Sequence, residues 1–323
     1  MAINHTAEIM DVDIEAVAKT AVWTTIAIIS LPLNITCVFI LRHTKDIEDA
    51  TKTFLIALTV ADLIYCCFRV VPSIGVAALN DGWPYGDACC VIQGVFVHVT
   101  LLAMCLSLLA VNAERYIAIA YPLKYPTMVG VRSARFTVVA AWFISALMLL
   151  FTWCESKWRP FYDAASQACF LYPYYTNKSP FTFKLYMFYI FYIPFAITVA
   201  IFALFGRILC IAHAHSRRIM AGDIPLRKRQ RDTRTATTLF LMTLSQALVN
   251  VPWFIVVLIG AEKVPDAVIF TVEVLFASAG WWNIVVYYFR NRAFRLTAKR
   301  IVHKCFRTTR YNNDHGIESI ASR

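Results

Sequence analysis

Three ionisable side chains interrupt sequence that is otherwise almost wholly apolar: Asp62 within the run Leu58 to Leu63, Arg69 seven residues later, and Glu273 far downstream. A charge in low-dielectric surroundings is costly unless it is paired or put to use. Seven residues make nearly two helical turns, so Asp62 and Arg69 fall on roughly one helix face. Two chemistries suit Arg69 and Glu273. They form an ion pair with each other, or each grips an opposite charge on a zwitterionic or peptidic ligand. Asn34 and Asn283 add buried amides, which either fix packing by hydrogen bonds or belong to a switch. A further acid–base pair, Glu114 and Arg115, sits in the run from Asn112 to Leu123 with Tyr116 beside it. Catalytic patterns are absent: there is no HExxH, no phosphate-cradling glycine loop and no nucleophile elbow. No enzyme activity, cofactor or metal is therefore expected.

The elements that must carry these residues follow from composition. The chain is 59% hydrophobic and 16% charged over 323 residues, well short of the roughly one-quarter charged content of a soluble domain. Its apolar residues gather in seven runs, at about 22–41, 53–79, 88–119, 136–154, 183–211, 235–260 and 267–289, each near the roughly 20 residues that cross a bilayer as a helix. Helices are required because lipid offers the backbone no hydrogen-bond partner, and the runs lack the alternation of a barrel wall. The expectation is an all-α bundle of seven transmembrane helices: residues 1–21 outside, 22–289 as the membrane domain, and 290–323 as a cytoplasmic helix and tail. The first run follows an acidic leader with no basic region, which argues against a cleaved signal peptide.

Net charge is +11, but the excess lies between runs five and six (Arg217, Arg218, Arg227 to Arg229) and after run seven (Arg290, Arg292, Arg295). Positive loops stay on the cytoplasmic side, which puts the N-terminus outside at the plasma membrane. The clusters are then partners for anionic lipid, not for nucleic acid. Cys89, Cys90, Cys154 and Cys169 fall at the outer face, where disulfides persist. Asn4 and Asn177 begin glycosylation sequons on that face. Beyond run seven an amphipathic segment starts near Asn291, and Cys305 follows it as a palmitoylation candidate. Thr308, Thr309, Ser319 and Ser322 are the few phosphate acceptors of the tail, so arrestin recruitment is expected to be weak.

With these landmarks in order the chain resembles the rhodopsin-like G-protein-coupled receptors over nearly its whole length. The matching residues are Asn34, Asp62, the Trp83 to Gly86 turn, Cys90, Arg115, Trp142, Cys169, Pro194, Pro252 and the stretch Asn283 to Tyr287, with Phe294 where a short cytoplasmic helix starts to pack. The resemblance implies a Cys90–Cys169 disulfide roofing an outer pocket. It implies a switch of Glu114, Arg115, Tyr116, Asp232, Asn283 and Tyr287 acting on a heterotrimeric G protein, and a polar core of Asn34 and Asp62. By position the pocket holds Arg69, Val97, His98, Leu101, Lys184, Trp253, Phe254 and Glu273. Val97 replaces the aspartate of aminergic receptors and Ala277 the retinal-binding lysine of opsins, so neither ligand class is expected.

The chain departs from the family at several switch positions. Asn250 and Gln246 replace aromatic residues of span six, Ile284 the proline of span seven, Phe202 a span-five tyrosine and Met104 a serine near Asp62. These open a second reading, a receptor-shaped protein with reduced or no coupling. A transporter is a third, but it would show repeats and interrupted helices in matched halves.

Overall fold

The computed structural model describes residues 14–45, 47–79, 82–155, 158–173, 184, 187–220, 241, 244–245, 248–260, 263–301 and 303. It is a helix bundle: α1 (Ile14–His43), α2 (Asp49–Leu79), α3 (Gly86–Ala120), α4 (Val131–Glu155), α5 (Ile193–Met220), α6 (Leu248–Ile259) and α7 (Asp266–Arg290). Residues 292–301 form a last helix, α8. Among the described residues six helices are long and apolar enough to cross a membrane, and α6 is a shorter apolar helix within the expected sixth span. Phe136, Val139, Phe143, Leu147, Leu150 and Phe151 lie exposed on α4, as a lipid-facing surface requires.

Helix α1 starts at Ile14, ahead of its apolar run. Glu15 and Lys19 form an ion pair at 2.5 Å across one turn, and the Lys19 ammonium lies over the Phe270 ring of α7. Local pairing thus extends the helix past the point that hydropathy alone reaches. Helix α2 is interrupted by a π turn at Cys66–Val70, and Arg69 stands on it. A second π turn, Phe188–Tyr192, leads into α5. In α7, by contrast, the helix runs unbroken through Asn283 to Tyr287, because Ile284 keeps the amide hydrogen that proline would lack.

Helix α3 is the axis of the bundle, packed against α2, α4 and α5. Apolar side chains form two buried clusters. One, around Trp23, Leu58, Val97, Leu102 and Leu171, fills the half of the bundle that bears the disulfide. The other, around Leu41, Phe54, Val111, Ile208 and Phe294, fills the opposite half. A polar layer of Asn34, Asp62, Ser107 and Asn283 is also buried.

A β-hairpin, which the helical runs give no reason to expect, covers one end. Strands β1 (Trp158–Asp163) and β2 (Ala168–Pro173) pair antiparallel, with Tyr162 opposite Cys169. Three contacts fix it on α3: the Cys90–Cys169 disulfide, a 2.6 Å hydrogen bond from the Cys169 amide to Gln93 Oε1, and close approach of Leu171 to Gly94. A Cβ added at Gly94 would lie 2.8 Å from Leu171 Cγ and 3.1 Å from its backbone nitrogen. Overfilling such a contact costs about 1–3 kcal/mol. Gly94→Ala should therefore lower the melting temperature of the purified protein in detergent. An unchanged melting temperature would show that the hairpin rides freely on α3.

Candidate functional site

Arg69 organises the hairpin end. The π turn adds a residue to its stretch of α2, and such bulges re-aim side chains relative to a regular helix. The guanidinium is 1% exposed. Its Nη2 donates to Glu273 Oε2 at 3.0 Å and to the Ser166 carbonyl at 2.7 Å, while Nη1 donates to Ser73 Oγ at 2.5 Å. One face of it lies 4.8 Å from the ring of Trp23. The charge, both terminal nitrogens and one π-face are thus engaged, while Nε has no partner among the described residues; pairing of this kind is how a membrane-buried arginine becomes tolerable. Of the two chemistries open at the sequence level, the structure shows the ion pair.

The partners of Arg69 come from every side. Ser73, one turn along α2, has its single hydroxyl proton between the Arg69 carbonyl at 2.8 Å and the Gln167 carbonyl at 3.0 Å. The Trp23 indole donates to Gln167 Oε1 at 2.8 Å. Asp163 closes the hairpin turn, accepting the Ser166 amide at 3.1 Å and its hydroxyl at 2.5 Å. Ser73 stands four residues from Arg69 and was legible as a helix-face neighbour. Trp23, Ser166 and Gln167 carried no such signal, since only the folded hairpin brings them there.

The remaining pocket candidates separate into groups. Val97 and His98 are buried on α3. His98 Nδ1 lies 2.6 Å from the Gly94 carbonyl, and the Tyr189 hydroxyl donates to the His98 carbonyl at 3.0 Å. Phe254 packs edge-on against Phe191 and Phe195, so it serves the α5–α6 contact. Trp253 lies beside Phe276 of α7, and Lys184 is exposed. Leu101 lines a cavity of about 30 Å³ together with Met104, Cys105, Leu108, Asn250 and Phe276. That space suits about one water molecule. Two of the residues that depart from the family pattern, Met104 and Asn250, thus share one small void.

In the polar layer, Asn34 Nδ2 donates to the Ser30 carbonyl at 2.9 Å and to that of Gly280 at 3.4 Å. Gly280 lies against Asp62, where an added Cβ would sit 3.3 Å from the Asp62 Cβ. Asp62 Oδ1 and both side-chain polar atoms of Asn283 have no hydrogen-bond partner among the described residues. Buried groups of this kind are satisfied by ordered water or by another helix packing.

At the opposite end Glu114 is 3% exposed and acts as a shared acceptor. It takes hydrogen bonds from Thr51 Oγ1 at 3.0 Å, from the Tyr125 hydroxyl at 2.5 Å, and from Arg115. Arg115 also donates to Thr51. Burial first, and then the neighbouring carboxylate, push the Tyr125 hydroxyl well above its ordinary range, so it remains a donor at physiological pH. Thr51 and Tyr125 were not singled out from sequence, because a threonine and a loop tyrosine look unremarkable until α2 and α3 are packed. Tyr116 stands apart, edge-on to Tyr121. Tyr287 joins α8 instead: Asn291 Nδ2 donates to its hydroxyl at 2.9 Å, and Asn291 Oδ1 caps the helix by accepting the Phe294 amide at 3.0 Å. Asp232, Asn4, Asn177 and Cys305 lie outside the described residues.

A bundle of membrane-length helices with a disulfide-fastened roof at one end and a shielded arginine at the other has the build of a multi-pass membrane receptor. A family model, the 7 transmembrane receptor (rhodopsin family), matches residues 33–286. The chain belongs to this family. Its curated relatives include a tachykinin-like peptides receptor of Drosophila melanogaster, 25% identical over 281 residues, 81% of this chain and 54% of that receptor. A green-sensitive opsin of Gallus gallus is 27% identical over 274 residues, 82% of this chain and 74% of the opsin. An adenosine receptor A2b of Gallus gallus is 23% identical over 317 residues, 90% of this chain and 92% of that receptor. The chain thus spans about half the length of the tachykinin-like receptor and nearly all of the adenosine receptor. These relatives are receptors and not enzymes.

Proposed function

We propose that the chain is a plasma-membrane receptor, N-terminus outside, that binds an extracellular ligand at the hairpin end and activates a heterotrimeric G protein at the Arg115 end. The observation that carries this reading is the state of Arg115. Its guanidinium is held by Glu114 and Thr51 and needs only to change partner to meet a G protein, which is a population shift between two packings. Residues 22–289 form the receptor domain, residues 1–21 the outer leader, and residues 290–323 the cytoplasmic helix and tail. Asp232 is the second acid of the lock. Asn4 and Asn177 carry glycans, Cys305 carries a palmitoyl group, and lipid and arrestin are the inner-face partners. Val97 and Ala277 argue against a monoamine and a Schiff-base chromophore.

A second reading, a receptor with reduced coupling, is favoured by one observation. Helix α7 continues unbroken through Ile284, so the hinge that proline would supply is missing. G-protein activation in cells, compared between wild type and Arg115→Ala at equal surface expression, separates the two. Basal signal abolished by Arg115→Ala is the expected result. Basal signal absent in wild type and under a ligand library would favour the second reading.

A further inference from the structure

The turn between β1 and β2 is the most deeply placed loop of the described chain. Ala165, Ser166, Gln167 and Ala168 are all buried, the last three at 2%, 3% and 0% exposure. A surface loop normally leaves its backbone to water. Here the Ser166 carbonyl ends on Arg69 and the Gln167 carbonyl on Ser73. What α1 and α2 supply is therefore a guanidinium, a hydroxyl and an indole, arranged to take two successive peptide carbonyls and one side-chain amide. Nothing in that set is particular to Ser166 or to the hairpin. It would accept any peptide segment of the same shape.

Three features mark the turn as an occupant that can leave. Gln167 is held at φ +55°, a left-handed conformation that strains a non-glycine residue. Arg69 Nε is buried without a partner among the described residues, so the turn satisfies only part of the guanidinium. The hairpin's stem is fastened separately, by the disulfide and by Gln93, so the tip can lift while the roof stays attached. The tip itself fills the space between Arg69, Ser73 and Trp23, so a ligand that meets those three groups takes the tip's own place.

We propose that Ser166 and Gln167 occupy in cis a site built to bind a peptide backbone, and that their occupancy keeps the receptor off. The argument rests on the receptor reading above. Its direction comes from the state of the other end: with the tip seated, Arg115 is bound within its own bundle by Glu114 and Thr51. The displacing ligand is then a peptide that presents consecutive carbonyls to Arg69 and Ser73, with a further acceptor for Arg69 Nε.

The test labels a Ser166→Cys receptor on intact cells with a membrane-impermeant thiol reagent, in a Cys89→Ser background because Cys89 is itself exposed. The thiol at position 166 should be shielded, and adding Arg69→Met should speed its labelling at least about tenfold. Because Arg69→Met also strips a buried ion pair, Gln167→Gly serves as the second variant. It removes the side chain that meets Trp23, and because glycine relieves the strain at φ +55° and so favours the seated tip, a rise in signal would come from the lost contact alone. Both should raise basal G-protein activation several-fold per receptor at the surface. In a receptor whose residues 164–167 are replaced by two glycines, a capped hexapeptide of sequence 163–168 should lower the raised signal, and Arg69→Met should cancel that effect.

Rapid labelling of Ser166→Cys without other changes would overturn the proposal. So would a freed tip with basal signal unchanged or reduced, or a hexapeptide without effect. Thiol labelling needs no G protein. A chain that fails the Arg115→Ala test yet shows a shielded, releasable tip would sink the coupling reading alone.

Discussion

Arg69→Met should cost about 3–5 kcal/mol of stability, the range found when one partner of a buried ion pair is removed. The loss comes from what is left behind more than from the bond itself. Glu273, whose side chain is 12% exposed, would be left in an apolar wall with no counterion for its charged form. The Ser166 carbonyl would lose its Arg69 donor, and Trp23 would lose the cation over its ring. A double-mutant cycle apportions these effects. Glu273→Gln alone leaves Arg69 with Ser73, Ser166 and Trp23, and should cost less than Arg69→Met. The double variant Arg69→Met with Glu273→Gln should recover part of the loss, because no unpaired charge remains. Thermal unfolding in detergent reads all three. Strict additivity of the two single changes would mean that the pair is not coupled.

Glu114→Gln is expected to have the largest effect on signalling. Glu114 accepts from Arg115, Thr51 and Tyr125 together, and hydrogen bonds to a charged group contribute about 1.5–3 kcal/mol each. Removing the charge while keeping the shape should move the closed-to-open balance of Arg115 by roughly one to two powers of ten. Basal G-protein activation should rise accordingly, up to the ceiling set by full opening. Tyr125→Phe and Thr51→Val each remove one of these bonds and leave the carboxylate in place, so each should give a smaller rise, near the roughly 1.5 kcal/mol lower end of that range. A Glu114→Gln receptor with wild-type basal activity, in a chain where Arg115→Ala is silent, would show that Glu114 does not hold the switch.

Much of this molecule is legible without coordinates. Span length against bilayer thickness is a local, additive property, and among the described residues six of the seven apolar runs appear as helices long enough to cross, with the shorter α6 in the remaining run, the sixth. The rarity of charge inside those runs marked Asp62, Arg69 and Glu273 before any contact was known. The Cys90–Cys169 bond followed from the family resemblance and is present.

Which of two uses Arg69 serves was decided only in three dimensions, because Glu273 lies 204 residues away along the chain and no local pattern records that distance. The hairpin follows the same logic. Its strands are short, its pairing is closed by a turn with no glycine, and its stability comes from α3 beneath it. Thr51 and Tyr125 become parts of the switch only when packing sets them around Glu114. Sequence by itself determined how many times the chain crosses and which charges it carries inside. Tertiary structure decided which of those charges meet, and that a turn of the chain's own backbone lies between them, because desolvation acts locally while pairing depends on the whole packing.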